Sequence, residues 1–284
     1  TESLQTESIV TIMIEEAAKT SEIEGEFISR IDLRSSIKNK LGLNPANVRV
    51  HDKRAKGVVE LMFDVRNSFN KSLTETRLLN WHLLLFSGSL NADLGVGYWR
   101  TDTEPMQIVS GHYGKWVVHY EAPPAKDVVL EMKRFIRWFN ETAPEKANPM
   151  LHAAVRAAIA HLYFESIHPF EDGNGRIGRA IAEKALSQGF GYPAVLSLST
   201  AIEANKKQYY SALQLASKSN EITQWVKYFV NVVYQAQTAA EKEINFIYKK
   251  SLLLDRYEQE LNERQMKVLK RMLDASVNGI EGGM

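Results

Sequence analysis

At 284 residues, with 44% hydrophobic and 24% charged residues, the chain is long enough to bury its own core and too apolar to be mostly disordered or fibrous. Its 35 Lys and Arg against 34 Asp and Glu give a net charge of +1, which excludes a global field that gathers nucleic acid or an anionic membrane, so any anion site is local. The lack of cysteine removes disulfides, thiolate metal ligands and cysteine nucleophiles, and no apolar run reaches the roughly 18 residues of a membrane span. A cytoplasmic protein without a membrane partner is expected.

In chain order, apolar spacing and helix signals predict helices at about 5–19, 30–41, 55–69 and 74–88. From Gly95 to Pro124 the pattern changes: Gln107-Ile108-Val109 and Trp116-Val117-Val118-His119-Tyr120 flank SGHYGK, which reads as a small β-hairpin with exposed edges. A core-facing stripe follows at Val128, Val129, Met132, Phe135, Ile136 and Phe139, and another at Leu151, Val155, Ala158, Ile159, Leu162 and Tyr163 behind a helix-starting Pro149. Helices are predicted again at about 174–188 and 203–217. The stripe Ile222, Trp225, Val226, Phe229, Val230, Val233 and Tyr234 adds another, and residues 261–284 read as one helix with a Gly-rich end. The fold class is mainly α, a helical bundle with a small β-hairpin.

The chemistry concentrates in His168-Pro-Phe-Glu-Asp-Gly-Asn-Gly-Arg-Ile-Gly-Arg179, between two predicted helices. Gly173 and Gly175 free the backbone of side-chain bulk where the next helix presents its unpaired N–H groups, which makes an anion hole fit for phosphate. Arg176 and Arg179, three apart on one helix face, add planar permanent cations. Asp172 is a hard oxygen ligand beside that anion, suited to Mg²⁺, and His168 has an ordinary pKa near 6.5, right for a general base. Singly, these residues have ordinary readings as a packed histidine, a turn and two solvated arginines; their occurrence within twelve residues outweighs them. An EF-hand register puts Phe170 and Ile181 where acidic ligands are required, and no P-loop or H-E-x-x-H occurs.

These residues resemble the Fic family signature H-x-F-x-[DE]-G-N-G-R-x-x-R, met here by His168, Phe170, Asp172, Gly173, Asn174, Gly175, Arg176 and Arg179. The likeness extends over about residues 20–240, through GYWR at 97–100, the hairpin, YEAPP at 120–124 and AIEANKKQYYSAL at 201–213. It implies a helical bundle with a hairpin flap and transfer of AMP from ATP to a protein hydroxyl, with Mg²⁺ as cofactor. His168 would be the base and Asp172 the metal ligand. Gly173, Asn174 and Gly175 would form the anion hole, Arg176 and Arg179 would hold the β and γ phosphates, and Phe170 would anchor the loop. Adenine is placed near Tyr209 and Tyr210, and the flap strand at Gln107, Ile108 and Val109 would dock the target. Gly175 rather than Lys argues against a related group that transfers the γ-phosphate.

Thr20-Ser21-Glu22-Ile23-Glu24-Gly25 resembles the family's [ST]-x-x-x-E-[GN] inhibitory motif. The resemblance implies that Glu24 pairs with Arg179 in cis, that Thr20 or Ser21 pins the helix, and that Gly25 closes it. The expected organisation is a helical region at 1–45 carrying this motif, a Fic domain at 46–240, and a helical extension at 241–284 resembling the start of a winged helix. The expected partner is a protein with a modifiable hydroxyl, with self-modification and a homodimer as further expectations and nucleic acid not expected. The rival readings are a nucleotide-sensing binding protein and the reverse reaction, removal of AMP.

Overall fold

The computed structural model describes residues 2–88, 95–102, 105–112, 115–146, 148–257 and 259–273. Helical spacing of Val10, Met13, Ile14, Ala17 and Ala18, all buried, forms α1 (Glu2–Ile23) and turns one apolar face inward. Its Glu16, also buried, accepts hydrogen bonds from the Ser197 hydroxyl (2.8 Å) and the Ser199 amide (2.9 Å), which anchors α1 to the body of the protein. α2 (Arg30–Lys40) is capped by Ser29, whose hydroxyl accepts from the Asp32 amide, and α3 (Lys53–Asn67) by Asp52. Asp32 then accepts from the amides of His51 (2.9 Å) and Asp52 (3.2 Å), fixing where α3 begins. α4 (Glu75–Phe86) starts at a Thr74 cap.

β1 (Gln107–His112) and β2 (Lys115–Glu121) pair antiparallel, with a bulge between Ile108 and Val109, as the expected hairpin. The side chains of Ile108 and Val109 lie outside the described residues. α5 (Ala125–Glu141) follows and buries Val128, Met132, Phe135 and Phe139, leaving Val129 exposed at the margin of its stripe.

α6 (Ala153–Ile167) and α7 (Asn174–Phe190) lie side by side at the centre of the molecule, and the signature loop joins them. α6 begins at Ala153 rather than at Pro149, and Leu151 is exposed outside it. The expected helix at 203–217 is α9 (Lys206–Ala216), capped by Asn205, which accepts from the Gln208 amide; a short helix that was not expected, α8 (Leu198–Glu203), precedes it and stops at Ala204. A short polar side chain that satisfies the first turn restarts the helix in a new direction. α10 (Thr223–Tyr257) runs 35 residues without a break, straight across the 240/241 boundary expected from sequence. No Gly or Pro occurs within it to end it. Its Trp225, Phe229, Val232 and Val233 are buried while Tyr234 turns to solvent, and the helix packs on α1, α6, α8 and α9. α11 (Glu263–Leu273) buries no side chain, and the Gly-rich end after it lies outside the described residues.

Candidate active site

His168 ends α6 with a left-handed backbone, φ 49° and ψ 60°, an uncommon conformation for a side chain with a Cβ. Arg100, 2% exposed, holds it there: its Nε donates to the His168 carbonyl at 2.7 Å, its own amide donates to the Pro169 carbonyl, and Nη2 donates to the Pro123 carbonyl at the foot of β2. The same side chain thus ties the loop to the flap. Burial lowers the His168 pKa to about 4, so the imidazole is neutral at pH 7 and its lone pair is available. Nδ1 has no hydrogen-bond partner and faces the Glu165 carboxyl at 3.8 Å. Burial raises Glu165 to about 8.

Phe170 is fully buried and stacks on His82 of α4, ring centroids 4.0 Å apart and planes within 3°. Burial lowers His82 to about 4, and the neutral ring bonds in both directions. Nδ1 accepts from the Gly97 amide (2.9 Å), so the proton sits on Nε2, which donates to the Asp172 carbonyl (3.2 Å). Asn174, expected among the phosphate ligands, spends its buried side chain on the loop: Oδ1 accepts from the Phe170 amide and Nδ2 donates to the Phe170 carbonyl. Its contribution to an anion is therefore through the backbone alone. Gly173 takes φ 82°, and a Cβ there would stand 2.8 Å from the Phe86 ring, so glycine is required both by angle and by space.

With Gly173 as N-cap, the first amides of α7, those of Asn174, Gly175 and Arg176, have no partner within the helix. Arg179 is 1% exposed; Nη1 has no partner and lies 3.1 Å from where a Gly175 Cβ would be, an orphaned donor facing the anion hole. The remaining donors of Arg179 are taken by α1. Nε donates to the Thr20 hydroxyl (2.9 Å), and Nη2 to the Thr20 carbonyl and Glu24 Oε1 (both 2.8 Å). Glu24 Oε1 reaches to 2.2 Å of a Gly175 Cβ position, inside the hole itself. Ser21 plays a different part, donating to the Ala17 carbonyl within α1. Gly25 at φ 81° closes the helix, the amides of Gly25 and Glu26 returning to the Glu22 and Ser21 carbonyls.

Sequence reasoning missed that Glu26 occupies the other arginine. Arg176 Nη1 donates to Glu26 Oε1 at 2.7 Å, while its guanidinium lies over the Phe86 ring and 3.6 Å from Asp172. The roles of Arg100 and His82 were also invisible in sequence; only the chain segment GYWR around the former carried a signal. Asp172 has a half-exposed carboxylate at the mouth of the hole. Among the described residues no three carboxylates or histidines converge on a metal position. A lone carboxylate beside a phosphate hole fits Mg²⁺, which keeps most of its waters and binds phosphate oxygens.

Of the expected adenine pair, Tyr209 does not reach the cleft. It is 1% exposed, its hydroxyl pairs with His161 at 2.8 Å, and it packs on Trp225 within the core. Tyr210 remains at the surface, its hydroxyl donating to the Ile23 carbonyl at the end of α1.

These features define a helical protein in which a neutral histidine, a helix N-terminus and two arginines stand together, a donor set of the kind that suits an anion. Residues 72–186 match the Fic/DOC family and residues 1–43 match a domain of unknown function, DUF4172. The chain is 26% identical over 200 residues to the protein adenylyltransferase Fic of Culex quinquefasciatus, covering 70% of this chain and 36% of that one. With its namesake from Drosophila grimshawi it shares 38% identity over 98 residues, 34% of this chain and 18% of that one. It therefore spans well under half the length of these relatives. The crystal structure of a Fic family protein from Desulfovibrio desulfuricans G20 superposes with a TM-score of 0.60 at 26% identity, covering 84% of this chain and 65% of that one. A Fic domain containing signaling protein from Bacteroides thetaiotaomicron shares the fold with a TM-score of 0.65 at 18% identity, over 86% of this chain and 91% of that one. Residues 72–186 of the chain are thus a Fic/DOC domain.

Proposed function

We propose that the chain is a protein adenylyltransferase held inactive by its own N-terminal helix. The observation that carries the reading is the pairing of Glu24 with Arg179 in a site that otherwise presents a neutral His168 and an open helix N-terminus. A target hydroxyl loses its proton to the lone pair of His168 as its oxygen attacks the α-phosphorus; the bond from that phosphorus to the bridging oxygen breaks, and pyrophosphate leaves. The amides at the start of α7 and the orphaned Arg179 Nη1 stabilise the charge that grows on the phosphate oxygens. Mg²⁺, held by Asp172, would supply charge neutralisation on the phosphates. The ring of Tyr210 offers a face for adenine, and the free edges of the hairpin offer strand addition to an extended target segment. With Glu24 in place the γ-phosphate has no room, because the carboxylate occupies the donors it needs.

The domain limits follow the same reading: a regulatory helical region at 1–45, a Fic domain whose helices run on through α10, and a C-terminal helical extension. No described helix is long and apolar enough to cross a membrane. The test incubates the protein with Mg²⁺ and ATP labelled on the α-phosphate, alone and with candidate target proteins or a second copy of the chain. Glu24→Gly is expected to label strongly, wild type weakly, and Glu24→Gly with His168→Ala not at all. Absence of label in Glu24→Gly despite ATP binding would replace the reading with a nucleotide sensor, or with removal of AMP if pre-modified protein loses its label.

A further inference from the structure

We infer that Glu26 is a second, independently hinged carboxylate that sets the site's preference between nucleotides, and that Arg54 is the partner to which it transfers when a polyphosphate enters. The inference rests on the reading of the cleft as an ATP site and concerns which of its donors a given nucleotide must displace.

The geometry starts at Gly25. Its left-handed turn ends α1 and sends the chain back across the mouth of α7, so that Glu24 before it and Glu26 after it face two arginines one helical turn apart. Glu24 takes Arg179 and Glu26 takes Arg176. A triphosphate needs both cations, whereas a monophosphate seated on the α7 amides needs neither. Displacing Glu24 alone therefore leaves the polyphosphate tail facing a guanidinium that is already neutralised.

Glu26 has somewhere to go. Its other oxygen, Oε2, stands 4.0 Å from Arg54 Nη1 on the first turn of α3. Arg54 is aimed by Asp52, which accepts from its Nε (3.0 Å) and Nη2 (2.8 Å), and Nη2 also donates to the Phe27 carbonyl in the segment that carries Glu26. Nη1 is the arm left facing Glu26. The carboxylate thus lies between an inner cation that is 4% exposed and an outer one that is 43% exposed, and it bonds to the inner one. A phosphate competing for Arg176 moves Glu26 outward by little more than 1 Å to complete the Arg54 pair. That is a two-position element biased by ligand charge. Its outer position is solvated, which limits the effect to about one order of magnitude in affinity.

The test measures binding of a non-hydrolysable ATP analogue and of AMP, each with Mg²⁺, to three proteins that all carry Glu24→Gly so that Arg179 is open: the parent, Glu26→Gln and Arg54→Gln. Glu26→Gln is expected to bind the ATP analogue about tenfold more tightly and AMP within twofold of the parent. Arg54→Gln removes the outer partner and is expected to bind the ATP analogue a few-fold more weakly, again with AMP unchanged. Opposite signs for the two variants, confined to the polyphosphate, are the signature. Equal gains for ATP analogue and AMP, no change in Glu26→Gln, or loss in both variants would overturn the inference while leaving the ATP site standing. A parent that binds neither nucleotide would overturn both. Thermal unfolding of each variant, expected within about 2 °C of the parent, separates a binding change from a folding defect.

Discussion

His168 combines an uncommon backbone conformation with a buried ring, and each has a consequence that can be measured. Because burial lowers the ring's pKa to about 4, raising the pH above 5 adds little more of the neutral base. Transfer by the Glu24→Gly protein is therefore expected to be flat on its acid side from pH 5 to 8 and to fall only as pH drops through about 4. A midpoint near 6.5 in kcat/KM would mean that the ring is solvated. Gly25 makes a different demand: nothing lies within 4 Å of its Cβ position, so only its φ of 81° requires glycine. Gly25→Ala is expected to cost about 1 kcal/mol, all of it backbone strain at the end of α1. The strain loosens the α1 carboxylates before it loosens the core. Self-labelling with α-labelled ATP should rise up to about fivefold over wild type, with a fall in Tm of about 2 °C. Unchanged labelling with the same fall in Tm would show that Gly25 has no part in holding Glu24 on Arg179.

Among the elements, the loop between α6 and α7 was legible because its meaning lies in short spacing. Three residues from Arg176 to Arg179 put both on one helix face, and Gly173 stands where a helix must start from a left-handed residue. The hairpin was legible from β-favouring runs on either side of a turn. Contacts across the chain were not. Glu26 meets Arg176 across 150 positions, and nothing in a polar segment after a helix end announces which cation it meets. His82 reads as a core position on α4, and only the fold shows that its two nitrogens join the Gly97 turn to the Asp172 carbonyl. Tyr209 and Tyr210 show the limit of adjacency: consecutive helical residues point about 100° apart, so one entered the core and the other stayed at the surface. The break between α8 and α9 turns on a single asparagine, a signal too local for apolar spacing to show.

For the whole molecule, the buried titratable groups set a stability profile. His82, His161 and His168 are lowered to about 4, 3 and 4 by burial, so unfolding takes up protons between about pH 4 and 6.5 and rising pH stabilises the fold through that window. Glu165 and Glu183 are raised by burial to about 8 and 7; they are protonated in the fold and ionised when unfolded, so rising pH destabilises from about 4.5 up to those values. The sum places the maximum in Tm near pH 6.5, with a decline toward pH 8 that Glu183→Gln should flatten. A Tm that still climbs between pH 7 and 8 would contradict the carboxyl assignment. The unbroken α10 has a consequence of another kind. Its 35 residues make a rod about 50 Å long, which packs near its start on α6, the helix that ends at His168, and runs along α1 as far as Lys250, which pairs with Glu7. A rod of this kind keeps phase. Removing a single residue beyond Lys250, where α10 has left α1, would turn everything after it by about 100°, whereas removing seven would shorten it by about 10 Å and restore the bearing almost fully. Whatever engages the far end therefore reads an angle set by the helices packed on its first half, and length and angle can be varied separately.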